Sequence, residues 1–302
     1  MKWVLGIRWG AKSLVSLYIS VISGIVIALQ YDPATPFYST GSLEALIPFG
    51  QFWRSLHYYS SQLFFVFLLV HLVIVLIDKR LSEAGNNDKR ADKEFTKKTE
   101  PGSGNRRMVR NRMQWVLLTL SMPVAALVLF TGYILRFDST GEAAGYIAEN
   151  ITRSVPFIGT WLNAFLFNVT TAGLKVVYAN HVIGLGCLWG YLAWDHLRKY
   201  RVRLLDHSAL AAAILIFSFI VPAPLEPPWP GSIQVLGPWF FIGLQELLKY
   251  IQPFWAGIFF PVTGMIFLCL AVLDQGRARW SLIGTIIWCV SYFILTVVGW
   301  NS

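Results

Sequence analysis

The chain has 302 residues, of which 55% are hydrophobic, 15% aromatic and only 14% charged, with a mean hydropathy of +0.54. This composition is far from that of soluble globular domains and predicts an integral membrane protein. The formal net charge of +9 does not indicate nucleic-acid binding, because the basic residues lie between apolar segments rather than on a soluble domain. The three cysteines lie in apolar segments without a CxxC or CxxCH motif, which argues against a disulfide framework, a zinc site and c-type haem attachment.

The hydropathy pattern predicts an all-α fold, a polytopic membrane helix bundle with seven transmembrane helices. Lys2, Arg8 and Lys12 precede the first apolar segment, as in a signal peptide, but no small-residue cleavage site follows, so we expect a retained span. The seven apolar segments are residues 12–30, 53–77, 113–135, 174–195, 208–222, 254–273 and 280–300.

Two regions between the spans have a recognisable character. Residues 141–152 and 157–168 are amphipathic and are separated at Pro156, which predicts two helices lying on the membrane surface. Residues 221–230 are rich in proline, which predicts an extended loop. The chain is predicted to consist of a four-helix domain, residues 1–205, and a three-helix domain, residues 206–302, and the loop lies within the second of these.

Most of the 25 lysines and arginines lie in segments that share one side of the predicted membrane. The positive-inside rule therefore predicts a cytoplasmic N-terminus and a C-terminus on the opposite side. Residues 78–112 are charged and rich in glycine, which predicts a flexible cytoplasmic loop, with binding to lipid headgroups or to a partner as the alternative. The basic segments are residues 1–12, 78–112, 196–207 and 274–279.

Four of the five histidines form two pairs inside apolar segments. His57 and His71 are 14 residues apart, and His181 and His196 are 15 residues apart. At about 1.5 Å per residue, each pair spans roughly 21–23 Å of helix on nearly one face. Neutral imidazole is a common axial ligand of haem iron, so the spacing predicts two haems within a bundle of the first four helices. His57 and His181 are predicted to lie at the same depth near the outer surface, and His71 and His196 at the same depth near the cytoplasmic surface. Each of these two pairs would therefore hold one haem. A proton relay or a metal transporter would not explain two pairs in register.

Small residues recur at the spacing of the histidines. Gly10 and Gly24 are also 14 residues apart, and Gly132 lies at the depth of the outer haem. A flat macrocycle between helices needs such positions without side chains, so we predict that all three glycines adjoin haem. Arg54 precedes His57 by one turn and is predicted to pair with a haem propionate, with lipid headgroups as the alternative partner.

These residues resemble the motifs of cytochrome b of the quinol:cytochrome c reductase superfamily. The resemblance covers nearly the whole chain, and the 15-residue histidine interval is similar to the short cytochrome b of chloroplast-type b/f complexes. Residues 206–302 resemble the separate subunit IV of those complexes, so the chain resembles a natural fusion of the two. The motifs are Gly50-x-x-x-Arg54-x-x-His57 with His71, Gly132-Tyr133 with Ile134-Leu135-Arg136-Phe137-Asp138, Val155-Pro156-Phe157-Ile158-Gly159, His181 with His196, Leu225-Glu226-Pro227 and Gly237-Pro238-Trp239-Phe240.

The resemblance implies a subunit of a membrane oxidoreductase that moves electrons from quinol to cytochrome c or another acceptor. Its cofactors would be two b haems and a quinone of the menaquinone, ubiquinone or plastoquinone type. Its partners would be an iron–sulfur protein, c-type cytochrome subunits or both, together with membrane lipids and a second copy of the chain, in a bacterial cytoplasmic membrane. The resemblance places an outer quinol site at Tyr133, Asp138, Trp239 and Glu246, and an inner quinone site on the cytoplasmic side.

Three positions depart from the family pattern. Pro238 replaces a glutamate thought to take a proton from quinol, and Asp138 and Glu246 are possible substitutes. Leu118 replaces a glycine of the third helix, and Arg8 replaces the cysteine that attaches an extra c-type haem in b/f-type proteins. Two alternative functions stay open: a non-bifurcating electron conduit to multihaem cytochromes, and a haem-free transporter or anchor.

Overall fold

The computed structural model describes residues 7–91, 103–226, 235–273 and 279–302. Within these residues the chain is almost entirely helical and contains no β-strand, which confirms the predicted all-α class. The helices are α1 (Trp9–Ala28), α2 (Pro36–Leu46), α3 (Gly50–Ala91), α4 (Ser103–Leu135), α5 (Ser139–Arg153), α6 (Gly159–Leu166), α7 (Val169–Ala172), α8 (Lys175–Ala179), α9 (Leu185–Leu197), α10 (Ser208–Ile220), α11 (Ile242–Leu247), α12 (Phe260–Leu273) and α13 (Arg279–Asn301).

Five helical segments in the described part of the chain are long and apolar enough to cross a membrane. They confirm an integral membrane protein. Two further predicted spans correspond to shorter apolar helices, Leu204–Ile220 and Trp255–Ala271, so the predicted number of seven spans stays a prediction. The five long segments are Trp9–Ala28, Gly50–Ile77, Arg112–Leu135, Lys175–Leu197 and Trp280–Asn301.

The first four spans pack as two helix pairs. Helix α1 lies along α3, and α9 lies along α4. Helix α10 joins the first pair through a buried cluster of Val15, Ile19, Leu56 and Ile214. Helix α12 packs on both α4 and α13. The C-terminal helices thus flank the bundle that carries the histidines.

The predicted surface helices are present as α5 and α6. Asp138 caps the start of α5, because its side chain accepts a hydrogen bond from the backbone N–H of Gly141 at 2.9 Å. The chain turns between α5 and α6 at Pro156, and the following Phe157 has a φ of +64° and a fully exposed ring. Helix α5 and the chain up to α8 bury one apolar cluster with the end of α4, which fixes these short helices to the bundle.

The predicted flexible loop at residues 78–112 is wrong for most of its length. Helix α3 continues without a break to Ala91, and α4 begins at Ser103, while residues 92–102 lie outside the described part. A helix that is already formed in the membrane extends at low cost, because each added residue contributes one hydrogen bond without new nucleation. Helix α2 was not predicted either; it begins at Pro36, whose fixed φ suits a first helical position.

The predicted extended loop is confirmed for residues 222–226, which have no regular structure, while residues 227–234 lie outside the described part. The loop begins where α10 ends, and its Ala223 is buried against α3. The C-terminal part therefore contains, directly after α10, a segment that is fixed to the N-terminal bundle.

A π-helical turn accounts for the unequal spacing of the two histidine pairs. A π-helical turn holds one residue more than an α-helical turn. Such a turn covers Asn180–Gly184, between α8 and α9, and includes His181. The extra residue of the 15-residue interval is absorbed there, so His181 and His196 keep the spacing and the face of their counterparts on α3.

Candidate functional site

Two pairs of histidine rings face each other across the bundle. The ring centroids of His57 and His181 are 6.1 Å apart, with an interplanar angle of 85°. Those of His71 and His196 are 6.2 Å apart, with an angle of 45°. We call the former pair the first histidine site and the latter pair the second histidine site. The structure therefore brings the four histidines together in the predicted pairs.

Hydrogen bonds orient both rings of the first histidine site. Nδ1 of His57 donates to the backbone carbonyl of Ser20 at 2.8 Å, and Nδ1 of His181 donates to that of Val128 at 3.0 Å. The hydroxyls of Ser20 and Thr131 lie 3.4 Å and 3.1 Å from the same two nitrogens. Because a carbonyl oxygen only accepts, the proton is on Nδ1 and the lone pair of Nε2 is free for a metal.

Two glycines leave the first histidine site open. A Cβ built on Gly24 would lie 2.8 Å from Cε1 of His57. A Cβ built on Gly132 would lie 2.8 Å from Cε1 of His181. Atoms this close would displace the rings, so both positions exclude a side chain and the helix backbones reach the edge of the site.

In the second histidine site, a glycine lies beside the ring of His71 and a tyrosine lies beside the ring of His196. A Cβ built on Gly10 would lie 3.1 Å from Cε1 and Nε2 of His71. The ring of His196 packs against that of Tyr200, with centroids 4.8 Å apart. Among the described residues, one glycine lies beside a ring of this site, where the first histidine site has two.

The ring separations fit two axial ligands on one iron. A metal–imidazole bond is about 2.0–2.1 Å long, so two imidazole nitrogens that held one metal from opposite sides would lie about 4 Å apart. The centres of their rings would then lie about 6 Å apart. This distance matches the observed 6.1 Å and 6.2 Å. The residues of both sites therefore fit a bis-histidine haem, and haem ligation by these residues stays a prediction.

Arg54 is buried and makes contacts that the sequence did not reveal. It pairs with Glu44 of α2 and donates to the backbone carbonyl of Ala223. It also donates to the carbonyl of Pro224 at 3.1 Å, while the hydroxyl of Ser55 accepts from the N–H of Ala223 at 2.8 Å. Arg54 thus fastens residues 222–226 to the start of α3, and its predicted pairing with a propionate stays a prediction.

Tyr133 and Trp239 each join the C-terminal part to the bundle. The hydroxyl of Tyr133 donates to the carbonyl of Leu236 at 3.0 Å. The indole N–H of Trp239 donates to the side-chain oxygen of Gln62 on α3 at 2.8 Å. A recess lies between α5 and residues 235–245 and is lined in part by Thr140, Ala144, Gly237 and Phe241.

Asp138 is fully buried, and both of its carboxylate oxygens are engaged. Oδ1 accepts from the N–H of Gly141 at 2.9 Å and from the hydroxyl of Thr140 at 3.1 Å. Oδ2 pairs with Arg136 at 2.7 Å and accepts from the N–H of Glu226 at 3.1 Å. A proton-accepting role for Asp138 requires exchange of one of these partners, and the role stays a prediction.

Glu246 is buried in a separate network at the end of α13. Its carboxylate pairs with Lys249 at 2.7 Å and accepts from the hydroxyls of Tyr250 at 2.7 Å and Ser302 at 2.9 Å. The hydrogen bonds from Lys249 and Tyr250 lower the pKa of Glu246 to about 2. A carboxylate with so low a pKa is a weak base at neutral pH, and its predicted role at the quinol site stays a prediction.

Sequence reasoning missed several residues that support the site. The carbonyls that fix His57 and His181 belong to the backbone and carry no sequence signal. Glu44, the partner of Arg54, is one carboxylate in a segment that has no other marker. Glu226 lies in a recognised motif, and its contact with Ser139, whose hydroxyl donates at 3.0 Å, depends on the fold.

Comparison with known proteins gives consistent likenesses. A family model described as Cytochrome b(N-terminal)/b6/petB matches residues 105–203, which contain Gly132, His181 and His196. The chain is 24% identical over 333 residues to a cytochrome b of Schizosaccharomyces japonicus, and the match covers 95% of this chain and 79% of the relative. It is 26% identical over 184 residues to a cytochrome b6 of Heliobacterium modesticaldum, covering 58% of this chain and 72% of the relative.

The fold is also similar to a solved structure. A chain of a "Hyperthermophilic respiratory Complex III" matches with a TM-score of 0.61 and 19% identity, and the match covers 99% of this chain and 84% of that chain. At this identity the likeness is one of fold, and it extends through the C-terminal helices that the family model does not reach. Together with the paired histidines, these likenesses make the chain similar to the cytochrome b subunits of bc-type and b6f-type complexes.

Proposed function

We propose that this chain is the dihaem b-type cytochrome subunit of a quinol-oxidising electron-transfer complex. The observation that carries the proposal is the pair of histidine sites, with ring separations of 6.1 Å and 6.2 Å on the same helices. His57 and His181 would hold one haem, and His71 and His196 the other, about 21 Å apart in depth along α3. The likeness to cytochromes b and b6 supports the same reading.

The residues around each site have roles that follow from their contacts. A b haem held by two neutral imidazoles supplies an iron that carries one electron at a time. The carbonyls of Ser20 and Val128 accept the Nδ1 protons of His57 and His181, so the Nε2 atoms would be free to hold the iron of a haem. Gly10, Gly24 and Gly132 leave the space that a macrocycle needs. For Arg54 we propose that it pairs with a propionate of the haem near His57.

We place quinol oxidation at the end of the bundle near the first histidine site. Tyr133, Asp138 and Trp239 would form this outer quinol site beside the recess lined by α5 and residues 235–245. Asp138 is the candidate proton acceptor within this group, and Glu246 is the more remote candidate because its partners lie at the end of α13. A quinone site at the other end of the bundle, near the second histidine site, would receive the electron.

The wider arrangement follows from the charge pattern and the family. We propose that the N-terminus is cytoplasmic and the C-terminus lies on the opposite side of a bacterial cytoplasmic membrane. The complex would include an iron–sulfur protein or c-type cytochromes and a second copy of the chain. The division into residues 1–205 and 206–302 would correspond to a cytochrome b domain and a subunit IV-like domain.

Haem content in histidine variants tests the proposal. Purified wild-type protein should show two b haems after dithionite reduction, separable by midpoint potential. His57→Ala and His181→Ala should each remove one and the same haem, because they disrupt one site, whereas His71→Ala and His196→Ala should each remove the other. His207→Ala is the matched control, because the fifth histidine lies in the turn Leu204–His207 and belongs to neither pair.

Two results would overturn the assignment. Retention of both haems by His57→Ala or by His71→Ala would contradict the proposed ligands. A colourless wild-type protein would favour the haem-free transporter or anchor. Loss of a haem in His207→Ala would show that the assay reports folding rather than ligation.

A conduit without bifurcation is the second candidate function. The observation that favours it is Pro238, which offers no proton-accepting side chain and whose carbonyl accepts the N–H of Phe241 at 2.7 Å. Such a conduit would pass both quinol electrons the same way, to multihaem cytochromes. Pre-steady-state reduction of the haem held by His71 separates the two functions. Bifurcation requires reduction that an outer-site inhibitor slows, and a conduit fed from the other side does not.

A further inference from the structure

The four helices of the bundle each carry a residue half-way between their two site-facing positions. On α3, Phe64 is seven residues from both His57 and His71. On α1, Leu17 is seven residues from both Gly10 and Gly24. Leu17 and Phe64 are therefore both half-way between the two histidine sites, and they lie on two helices that pack along each other.

The other helix pair repeats this arrangement. On α4, Ala125 is seven residues from both Leu118 and Gly132. On α9, Trp189 is eight residues from His181 and seven from His196, where the additional residue belongs to the π-helical turn. The four midpoint residues pack in one apolar cluster. We call Leu17, Phe64, Ala125 and Trp189 the middle layer.

Two aromatic rings of the middle layer connect the helices that carry the histidines. Phe64 of α3 and Trp189 of α9 meet edge to face, with ring centroids 5.4 Å apart and an interplanar angle of 87°. The side chain of Phe64 is 5% exposed, so the contact lies inside the bundle. The pair thus forms a packed aromatic contact between the two histidine sites.

Trp189 is an unfavourable residue if it serves packing alone. Its indole N–H is buried and has no hydrogen-bond partner among the described residues. A buried donor without a partner costs stability, whereas an aliphatic side chain would fill the same space without that cost. Tryptophans of membrane proteins are otherwise enriched at the interface, where the N–H finds a partner. The aromatic ring of Trp189, rather than its volume alone, is therefore the property that distinguishes it from an aliphatic residue at this position.

We propose that the Phe64–Trp189 pair is the contact through which an electron passes between the two haem sites, an inference that rests on the proposed function. The iron of the donor site loses one electron and the iron of the acceptor site gains it, and no bond or proton changes place. Electron tunnelling weakens steeply with distance and most steeply across empty space. Packed rings at the midpoint shorten the gap that must be crossed and leave no void.

Variants of the two rings test the proposal in the purified protein or complex. Trp189→Leu and Phe64→Leu remove an aromatic ring but keep an apolar side chain, and Trp189→Phe keeps a ring. Haem content and both midpoint potentials are measured first, by redox titration. A flash photoreductant then injects one electron, and the α-band absorbance of each haem follows its transfer. Trp288→Leu is the matched control, because Trp288 forms an intramembrane pair with Phe260, at 5.1 Å, away from the middle layer.

The expected result is transfer between the haems slowed by roughly tenfold or more in Trp189→Leu and Phe64→Leu, because the electron must cross a wider gap between aromatic groups. Trp189→Phe and Trp288→Leu should stay near the wild-type rate. An unchanged rate in both leucine variants would overturn the proposal, as would a slowing fully explained by shifted potentials. If a leucine variant loses a haem, Trp189→Phe and the other leucine variant decide the outcome. A wild type without two haems refutes the proposed function instead.

Discussion

The glycines beside the histidine rings lead to a prediction about single side chains. Gly24→Val places atoms where a Cβ alone already comes within 2.8 Å of the ring of His57. We expect the variant to lose the haem of the first site and to keep that of the second, because the displaced ring no longer reaches the iron. Quantification of b haem and its midpoint potentials in the purified variant checks this.

Gly190→Val is the matched control for Gly24→Val. Gly190 also lies within a span, on α9, and a Cβ built there meets nothing within 4 Å. The control should keep both haems. Equal haem content in the two variants would contradict the role assigned to Gly24, and equal loss in both would indicate a general effect of valine on the bundle.

Sequence reasoning predicted the histidines because a polar side chain in an apolar span is rare and has a reason to be there. It predicted which rings face each other, because depth and helix period determine this. It could not predict what holds the rings, since the acceptors for His57 and His181 are backbone carbonyls of other helices. Nor could it predict that Arg54 pairs with Glu44, because that contact depends on where α2 lies.

At the scale of helices, the π-helical turn predicts an unusual tolerance to deletion. Removing Val182 from the turn shortens the interval between His181 and His196 to the 14 residues found on α3. We expect this variant to keep both haems, because an α-helical interval of that length presents both rings to one face. Haem content and the reduced α-band spectrum of the purified protein measure the outcome.

Deletion of Leu68 from α3 is the comparison. This interval contains no π-helical turn, so a missing residue rotates His71 by about 100° relative to His57. Such a protein should lose the haem of the second histidine site. If the Val182 deletion loses a haem and the Leu68 deletion keeps both, the interpretation of the turn is wrong.

Helix prediction succeeded where hydropathy was strong and failed where other forces decide. The spans and the surface helices α5 and α6 follow from apolar period and from the proline between them. Residues 78–91 are too polar to be recognised as part of a span, yet they continue α3 because hydrogen bonding propagates from the membrane-spanning turns. A π-helical turn has no residue signature, and only its consequence, the 15-residue interval, was visible.

At the scale of the whole molecule, the C-terminal part is fastened to the bundle by polar contacts near the first histidine site. Arg54 holds the carbonyls of Ala223 and Pro224, and Tyr59 donates to that of Pro222 at 3.2 Å. Trp239 adds a contact with α3. This arrangement predicts that residues 1–205 and 206–302 associate when they are made as separate chains.

Co-expression of the two parts, with an affinity tag on the first, tests this prediction. The second part should be recovered with the tagged part, together with two b haems. Arg54→Gln removes the charge-assisted hydrogen bonds to the carbonyls of Ala223 and Pro224, a loss of about 1.5–3 kcal/mol for each bond, so recovery of the second part should fall. Arg198→Gln serves as the control, because the pair of Arg198 with Asp195 is solvent-exposed and such pairs contribute little. Equal recovery in the two variants would contradict the role of Arg54.

The middle layer has an electrical consequence. Its four residues are apolar, so an electron that crossed it in the proposed transfer would carry uncompensated charge through about 21 Å of a hydrocarbon core of about 30 Å. A unit charge moved fully across a membrane at 100 mV changes in energy by about 2.3 kcal/mol, so this step performs about 1.6 kcal/mol of electrical work. In the proposed dihaem protein, the difference in potential between the two haems would have to supply that work, and the bundle would act as the insulating gap of a capacitor that each turnover charges.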